Sequence, residues 1–186
     1  MKLILASNSP RRRELIRKLG VPVITESPQV DETVPAEVPA ECAAEMIAVR
    51  KAAAVAKKYP GAVVIAADTT VILDGEILGK PKDHDDCVRM LNALSGRMHK
   101  VITGAAIFWD GHSASFSDET EVQFYPLSNA EIQAYADSDE PYDKAGAYGI
   151  QGQGGLLVAG IHGDYYNVVG LPIARLARQL RDFGLL

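Results

Sequence analysis

The chain has 186 residues, of which 47 % are hydrophobic and 23 % are charged. This is ordinary globular composition, and it excludes a disordered or fibrous protein. The formal net charge of −5 argues against a protein that binds nucleic acid or a membrane surface through a large basic face. At this length we expect one domain over residues 1–186, with about 70 % of the unfolded surface buried and no need for a disulfide or a structural metal.

Two features of the sequence bear on the cellular compartment. The two cysteines, Cys42 and Cys87, form no C-x-x-C motif, so a zinc site or a thioredoxin-like site is not predicted. The apolar run at residues 3–6 is too short for a signal peptide, and no run approaches the roughly 18 apolar residues of a membrane span. We therefore expect a soluble cytoplasmic protein.

The predicted elements alternate between strands and helices. The first half begins with a strand at 2–6, a helix from 10 to 20 capped by Ser9, a strand at 21–25, a loop at 26–39 and a helix at 40–58. Two hairpins follow, with strands at 63–73 and from 76 joined by Asp74-Gly75, a helix at 83–94, and strands at 101–109 and 113–125 joined by Asp110-Gly111. The chain ends with a short helix with a capping box at Ser128, a glycine-rich segment at 148–155, a third hairpin of 156–161 with 165–169, and a last helix opened by Pro172 with Ile173, Leu176, Leu180 and Phe183 inward. A helix joins the first strands, whereas later strands form hairpins, so we predict an α/β fold. Its mixed, twisted sheet is expected to be flanked by helices, with two lobes around a central cleft.

Asp68 is the sharpest local signal, because it interrupts the apolar run at 63–73. A carboxylate in a buried strand costs several kcal/mol unless it is paired or bound to a metal. The small neighbours Ala66 and Ala67 would leave room for a ligand. The alternative is a strand end at a sheet edge, with Asp68 capping a nearby group.

A second signal is the segment from Ser7 to Arg13, which joins the first strand to the first helix. Such a junction presents backbone N–H groups and a positive helix end, which suit a phosphate. The three consecutive arginines oppose the helix dipole, so they indicate an anion site. The alternative is a solvated helix face that happens to be basic.

Two glycine-containing segments are weaker signals. Lys80 lies in Gly79-Lys80-Pro81, which could supply a lysine to phosphates but is not a Walker A motif. The run at 146–155 lets the backbone approach a ligand closely, and Gln151 or Gln153 could contact a base edge. The alternative for this run is a flexible loop.

Loop acids complete the candidate chemistry. Asp31 and Glu32 could join Asp68 around a divalent cation, since Mg²⁺ prefers carboxylates together with substrate phosphates. Most loop acids are simply solvated, which is the alternative. The four histidines show no ligand spacing, and we interpret them as surface or hairpin residues: His84, His99, His112 and His162. Together these signals predict a phosphate-ester substrate bound with a metal.

At these residues the chain resembles the Maf family, also called septum formation inhibitors or Maf-like nucleoside triphosphate pyrophosphatases. The similarity runs nearly end to end, and its motifs occur in order. They are Leu5-Ala6-Ser7-x-Ser9-Pro10-Arg11-Arg12 with Glu14-Leu15, Asp31-Glu32, Ala67-Asp68-Thr69, Gly79-Lys80-Pro81, the run from Asp139-Glu140-Pro141 to Gly152, and Val168-Val169-Gly170-Leu171-Pro172.

The resemblance implies a Maf/ITPase-like fold and hydrolysis of a nucleoside triphosphate to the monophosphate and pyrophosphate. It also implies a divalent metal, Mg²⁺ or Mn²⁺, and a homodimer. By resemblance, Asp68 is the proton acceptor, the specificity residues are Arg11, Thr69 and Gln151, and other pocket residues are Ser7, Arg12, Glu32, Lys51 and Lys80. On charge alone, Asp68 with Glu32 would either hold the metal or orient the water for attack, and the sequence leaves both roles open. The run from 139 to 152 looks like the branch that acts on dTTP and UTP. Thr70 departs from the family's usual apolar β-branched residue, with little effect expected on the chemistry.

Several hypotheses follow. The first is a pyrophosphatase that removes unwanted nucleotides, with a link to cell division suggested by the family's older name. Alternatives are a 7-methyl-GTP pyrophosphatase of the same family, a non-catalytic nucleotide-binding regulator of septum formation, and a nucleotidyltransferase. The last would need a second acceptor substrate.

Overall fold

The computed structural model describes residues 2–186. Its strands are β1 (Leu3–Ala6), β2 (Val23–Glu26), β3 (Val63–Leu73), β4 (Glu76–Leu78), β5 (Met98–Trp109), β6 (His112–Phe124) and β7 (Val158–His162). Its α-helices are α1 (Pro10–Ile16), α2 (Ala40–Ala56), α3 (His84–Leu94), α4 (Asn129–Ala136), α5 (Tyr165–Val169) and α6 (Ile173–Asp182). Short 3-10 helices lie at Arg17–Leu19, Pro141–Asp143, Ala145–Ala147 and Gln153–Leu157. Within this described range, no helix is both long enough and apolar enough to cross a membrane.

The strands form one mixed sheet in the order β2-β1-β3-β5-β6-β7, and β4 pairs with β3. Strand β1 is parallel to both β2 and β3, because helical crossovers connect these strands. The β3–β4 and β6–β7 pairs are antiparallel. Helices flank the sheet, so the predicted mixed α/β fold is confirmed.

The chain divides into two compact units. The first comprises the described residues up to Thr69 together with Thr103–Asp118 and Gly170–Leu186. The second comprises Thr70–Ile102 and Glu119–Val169. Strands β3, β5 and β6 contribute residues to both units, whereas α1, α2 and α6 belong to the first. The central cleft stays a prediction.

The core of the first unit packs α2 against β1 and β3. Its fully buried members include Ala48, Ala52 and Val55 of the helix, against Ile4 and Val64 of the strands. The alanine-rich helix face lets the backbones approach closely. At Gly104 of β5 a Cβ atom would lie 2.2 Å from the Glu45 backbone nitrogen, so only glycine fits beneath α2.

The core of the second unit is more aromatic. Helix α3 contributes Cys87, Met90, Leu91 and Leu94, and α4 contributes Ile132 and Tyr135. Phe124, Tyr148 and Leu157 complete the centre, with the Phe124 and Tyr148 rings edge to face at 4.8 Å. Such edge-to-face pairs hold aromatic rings in one orientation.

Local capping signals are confirmed where they were predicted. The Ser9 hydroxyl accepts a hydrogen bond from the Arg12 backbone N–H, and the Ser128–Glu131 capping box opens α4. Asp74 and Asp110 have positive φ angles of 53° and 43°, as the two hairpin turns require.

The third predicted hairpin is wrong, because residues 165–169 form helix α5 and β7 pairs with β6 instead. The Asp164 carboxylate accepts from the Tyr166 backbone N–H and so caps a helical turn. The buried Asn167 amide donates to the Val101 carbonyl and to the Thr120 hydroxyl, which holds this turn in place. A short run rich in apolar residues does not distinguish a strand from one turn of helix.

Two further predictions about single side chains need correction. His99 is neither a surface nor a hairpin residue, since it is 2 % exposed and contacts Tyr148 and Phe124. Phe183 follows α6 and is 38 % exposed, although it stacks on Trp109 at 4.7 Å. The other three predicted inward residues of α6 are buried.

Candidate active site

The candidate active site lies in the first unit, at the carboxyl ends of β1 and β2. In the sheet register Ala6 of β1 lies between Glu26 of β2 and Ala66 of β3. The turn at Ser7 and the loop at 27–39 therefore begin at the same edge of the sheet, and Asp68 lies two residues beyond Ala66. This edge is where ligands bind in parallel α/β sheets.

Lys51 holds two carboxylates at the centre of this site. Its Nζ lies 2.7 Å from Asp68 Oδ1 and 2.9 Å from Glu32 Oε1. Lys51 projects from α2, Asp68 from the middle of β3 and Glu32 from the loop at 27–39. Three separate segments thus meet at one ammonium group.

The three side chains differ in exposure. Lys51 is 8 % exposed and Asp68 14 %, whereas Glu32 is 57 % exposed. A buried lysine needs a charged partner, and the Asp68 carboxylate supplies it. The exposed Glu32 pair is the weaker one, because water competes with it. Glu32 can therefore exchange Lys51 for another cation at small cost.

Arg12 extends the cluster through hydroxyl groups. Its Nε donates to the Gly170 carbonyl at 2.7 Å, and its Nη2 donates to Thr69 Oγ1 at 2.9 Å. Thr69 Oγ1 in turn lies 2.9 Å from Thr103 Oγ1. Burial lowers the pKa of Arg12, and the nearby Asp68 carboxylate offsets part of that shift. The guanidinium is thus fixed in one orientation beside Asp68.

Ser7 and Arg11 lie in the turn and first helical residues that lead into α1. Ser7 is buried, and its hydroxyl accepts from the Ser9 backbone N–H at 3.1 Å. Arg11 is half-buried and lies close enough to Arg12 to lower its pKa. Two like charges held this close are stabilised by an anion.

The loop that carries Glu32 is held by a residue that the sequence did not single out. Arg50, the neighbour of Lys51 on α2, donates from Nη1 to the Thr33 carbonyl at 2.8 Å and to the Asp31 carbonyl at 3.3 Å. These two carbonyls flank Glu32. Thr103 was also missed, because a threonine in an apolar strand gives no distinctive signal.

Two predicted site residues, Lys80 and Gln151, belong to the second unit, and both are exposed. Lys80 follows Gly79, whose carbonyl accepts from the Gly146 backbone N–H at 3.0 Å. Gln151 lies in a turn of the glycine-rich run. That run is held by Glu140 and Tyr135, which sequence reasoning did not identify although Glu140 lies within a family motif.

The donor set suits a hard divalent cation in one respect only. Among residues 2–186, no group of three or more His, Cys, Asp or Glu side chains is arranged to hold a metal ion. Asp68 and Glu32 nevertheless present two carboxylates to one cationic position, which the Lys51 ammonium occupies. Mg²⁺ is commonly held by one or two carboxylates plus substrate phosphates. The residues therefore fit a metal that arrives with a nucleotide.

Comparison with known proteins identifies close relatives. The chain is 53 % identical over 184 residues to the dTTP/UTP pyrophosphatase of Symbiobacterium thermophilum, covering 98 % of this chain and 94 % of that protein. It is 50 % identical over 186 residues to the dTTP/UTP pyrophosphatase of Carboxydothermus hydrogenoformans, covering 99 % and 100 %. A dTTP/UTP pyrophosphatase of Bacillus velezensis is 48 % identical over 184 residues, covering 99 % of this chain and 97 % of that protein.

Solved structures with the same fold are more distant in sequence. The Ham1 protein of Staphylococcus aureus superposes with a TM-score of 0.62 at 19 % identity, covering 98 % of this chain and 100 % of that one. A HAM1 protein of Coxiella burnetii gives a TM-score of 0.60 at 14 % identity, covering 98 % and 99 %. The family profile described as Maf-like protein matches residues 2–183, and the chain belongs to the Maf family.

Proposed function

We propose that this protein hydrolyses dTTP and UTP to the nucleoside monophosphate and pyrophosphate. The observation that carries the proposal is the Lys51 ammonium shared by Asp68 and Glu32, in a chain about half identical over its full length to proteins named dTTP/UTP pyrophosphatase. Phosphoryl chemistry is mainly a matter of positioning and charge stabilisation, and this cluster supplies both.

The reaction breaks the bond between the α-phosphorus and the oxygen that bridges to the β-phosphate. A water attacks the α-phosphorus, its proton passes to the Asp68 carboxylate, and pyrophosphate leaves with the electron pair of the broken bond. Lys51 contacts Asp68 Oδ1 and fixes the carboxylate plane. We propose that the second oxygen, Oδ2, accepts the proton.

The remaining charges bind the triphosphate. Arg11 and Arg12 stand at the first turn of α1, and Arg12 is oriented by Thr69 and the Gly170 carbonyl. Four cations, these two with Lys51 and Lys80, match a triphosphate of about four negative charges. Ser7 offers its hydroxyl at the same turn.

Nucleoside triphosphate pyrophosphatases generally need a divalent metal, and we propose Mg²⁺ or Mn²⁺ here. Asp68 and Glu32 would hold it together with the phosphates. When bound, the metal neutralises charge on the phosphates and polarises the attacked phosphorus. Glu32 is the ligand free to move, because it is exposed and its pair with Lys51 is weak.

Base selection is proposed to involve Thr69, Arg11 and Gln151. The Gln151 amide both donates and accepts, as does the edge of uracil or thymine. Acting on nucleotides outside nucleic acid, the protein would limit unwanted pyrimidine nucleotides in the cytoplasm. We further propose a homodimer, which sedimentation of the purified protein would test.

The test is a panel of nucleoside triphosphates incubated with Mg²⁺ or Mn²⁺, with the products separated. We expect monophosphate and pyrophosphate from dTTP and UTP, and a loss of about 10²–10⁴ in kcat for Asp68→Asn. The matched control is Asp110→Asn, since Asp110 is an exposed turn residue at positive φ, where asparagine is equally suited. Turnover of 7-methyl-GTP instead would overturn the base preference. No turnover with either metal would favour a binding protein, and turnover only with a second acceptor would favour a transferase.

A further inference from the structure

The turn that carries Gln151 has a defined conformation rather than that of a flexible loop. Gln151 is exposed at the end of a turn between Gly149 and Gly154. The backbone closes on itself there: a Cβ atom on Gly154 would lie 2.7 Å from the Gly149 carbonyl oxygen. Such an approach admits only glycine, so the glycines of this run serve a specific shape.

One carboxylate holds the far side of this turn. Glu140 Oε2 accepts from the Gln153 backbone N–H at 2.9 Å, and Glu140 Oε1 accepts from the Gly154 backbone N–H at 2.9 Å. A Cβ atom on Gly152 would lie 2.3 Å from Glu140 Oε2, so a side chain there would displace the carboxylate. Glu140 thus fixes the three residues that follow Gln151.

A buried phenol holds the near side. The Tyr135 hydroxyl accepts from the Gly149 backbone N–H at 3.2 Å and donates to Glu140 Oε1 at 2.9 Å. Tyr135 is 4 % exposed and belongs to the core of the second unit. Glu140 and Tyr135 therefore form hydrogen bonds to the turn on both sides of Gln151 and to each other.

The protonation states suit this arrangement. Burial raises the pKa of Glu140, but the backbone donors of Gly154 and Gln153, the Tyr135 hydroxyl and the Lys144 charge together lower that pKa overall. Burial raises the pKa of Tyr135. At neutral pH the contact is a charge-assisted hydrogen bond between a neutral phenol and a carboxylate, which is stronger than a neutral pair.

We infer that Glu140 and Tyr135 are positioning residues for Gln151. By holding the 149–154 turn, they set the discrimination between uracil-type and cytosine-type bases. The inference rests on the proposed function, because it needs Gln151 to recognise the base. Uracil and cytosine present opposite donor and acceptor patterns on the edge that an amide can contact. A held turn keeps the Gln151 amide within reach of the uracil edge, whereas a loose turn lets the amide move away and weakens the contact that favours UTP.

The experiment compares UTP with CTP for five proteins: wild type, Glu140→Gln, Tyr135→Phe, Gln151→Ala and the control Glu76→Gln. Glu76 is an exposed glutamate of β4 in the same unit. We expect Gln151→Ala and Glu140→Gln each to lower the UTP/CTP ratio of kcat/KM by about tenfold. Gln151→Ala removes the proposed contact with the base, and Glu140→Gln removes a charge-assisted hydrogen bond that holds the turn. The loss should appear in the KM for UTP, with kcat changed less than about twofold, because the reacting groups are untouched. Tyr135→Phe should fall between these variants and the control.

A second readout separates positioning from general destabilisation. Amide hydrogen exchange at Gln153 and Gly154 should accelerate in Glu140→Gln and not in Glu76→Gln, while the α3 and α4 amides stay protected. A UTP/CTP ratio that is unchanged in Glu140→Gln but lost in Gln151→Ala would overturn the inference and leave the proposed function intact. An unchanged ratio in Gln151→Ala would do the same. A wild-type protein that hydrolyses neither UTP nor dTTP would refute the proposed function and the inference together.

Discussion

The two units hold their candidate functional side chains by different forces. In the first unit, Asp68 and Glu32 are held by an ammonium group, and Arg12 is held by hydroxyl and carbonyl oxygens. In the second unit, the turn that carries Gln151 is held through the backbone N–H groups of neighbouring residues, by the Glu140 carboxylate and by the Tyr135 hydroxyl of the aromatic core. The charged groups of an ion pair can change partner when a charged substrate binds, whereas hydrogen bonds to the backbone keep the conformation of a turn.

This difference suits the two proposed tasks, which are triphosphate binding in the first unit and base selection in the second. A site that binds a triphosphate must give up contacts between its own charges when the substrate arrives, so partners such as the exposed Glu32 are suitable. A site that selects a base must keep its donors and acceptors in place before binding, so a rigid turn is suitable. Substitutions in the first unit should therefore change catalysis, and those in the second should change stability or selectivity.

The largest expected effect is at Lys51. In Lys51→Met the Asp68 and Glu32 carboxylates lose the ammonium group that pairs with both, so we expect the free energy of unfolding to fall by about 3 kcal/mol. The kcat/KM should fall by at least about 10² through loss of phosphate contacts and of Asp68 orientation. Steady-state kinetics and urea unfolding measure both, with Lys57→Met at the exposed end of the same helix as control. A variant with near wild-type activity would show that the ion pairs are structural only.

His99 should make the stability of the second unit depend on pH. Burial lowers the pKa of His99 from 6.5 to about 4, so the folded state prefers the neutral ring. The resulting stability is fully present above pH 6.5 and is lost as the pH falls from 6.5 toward 4, since the unfolded chain binds the proton first. The loss attributable to His99 should reach about 3 kcal/mol across that window.

The measurement is the free energy of unfolding between pH 7.5 and pH 4 for wild type and His99→Gln. Glutamine can keep a hydrogen bond to the Tyr148 hydroxyl, which lies 2.8 Å from His99 Nε2, but it does not titrate. The difference in the free energy of unfolding between wild type and His99→Gln should therefore change by about 3 kcal/mol between pH 6.5 and pH 4. His112→Gln, at an exposed position, is the matched control.

Arg50 sharpens the comparison within the first unit. Arg50→Gln removes the donor that holds the two carbonyls flanking Glu32. Because these bonds are exposed, we expect only about a three- to tenfold fall in kcat/KM and less than about 1 kcal/mol of stability. The metal concentration for half-maximal rate should rise, and Arg178→Gln on the exposed face of α6 should leave it unchanged. A loss as large as that of Lys51→Met would mean that Arg50 contacts the substrate.

The smallest effect is expected at Thr70, with a sign opposite to that at its neighbour. Thr70 is buried, and its hydroxyl has no hydrogen-bond partner, so Thr70→Val should stabilise the protein by about 1 kcal/mol without changing kcat. Thr69→Val should destabilise it and lower activity, because its hydroxyl serves Arg12 and Thr103. Thermal unfolding of both variants checks the pair. Equal shifts in the same direction would contradict this assignment.

Local signals were sufficient to predict much of the fold. Serine caps, the Asp-Gly turns and the apolar run at 63–73 act through a few neighbouring residues, so the sequence predicts them directly. The motifs of the family resemblance likewise predicted membership in that family. The helix at 165–169 was missed because its stabilising bonds come from Asn167 to residues 47 and 66 positions away.

For the candidate site, the sequence determined which residue types are present and which position is unusual. An acid within an apolar strand must be paired, and Asp68 could be singled out for that physical reason alone. The tertiary structure decided the partners. Lys51 lies 17 positions from Asp68 in sequence, and Thr69 lies 57 positions from Arg12. The burial of His99 and the hydrogen bonds from the Gln151 turn to Glu140 also depend on packing between segments that are distant in sequence. No local sequence pattern encodes such packing.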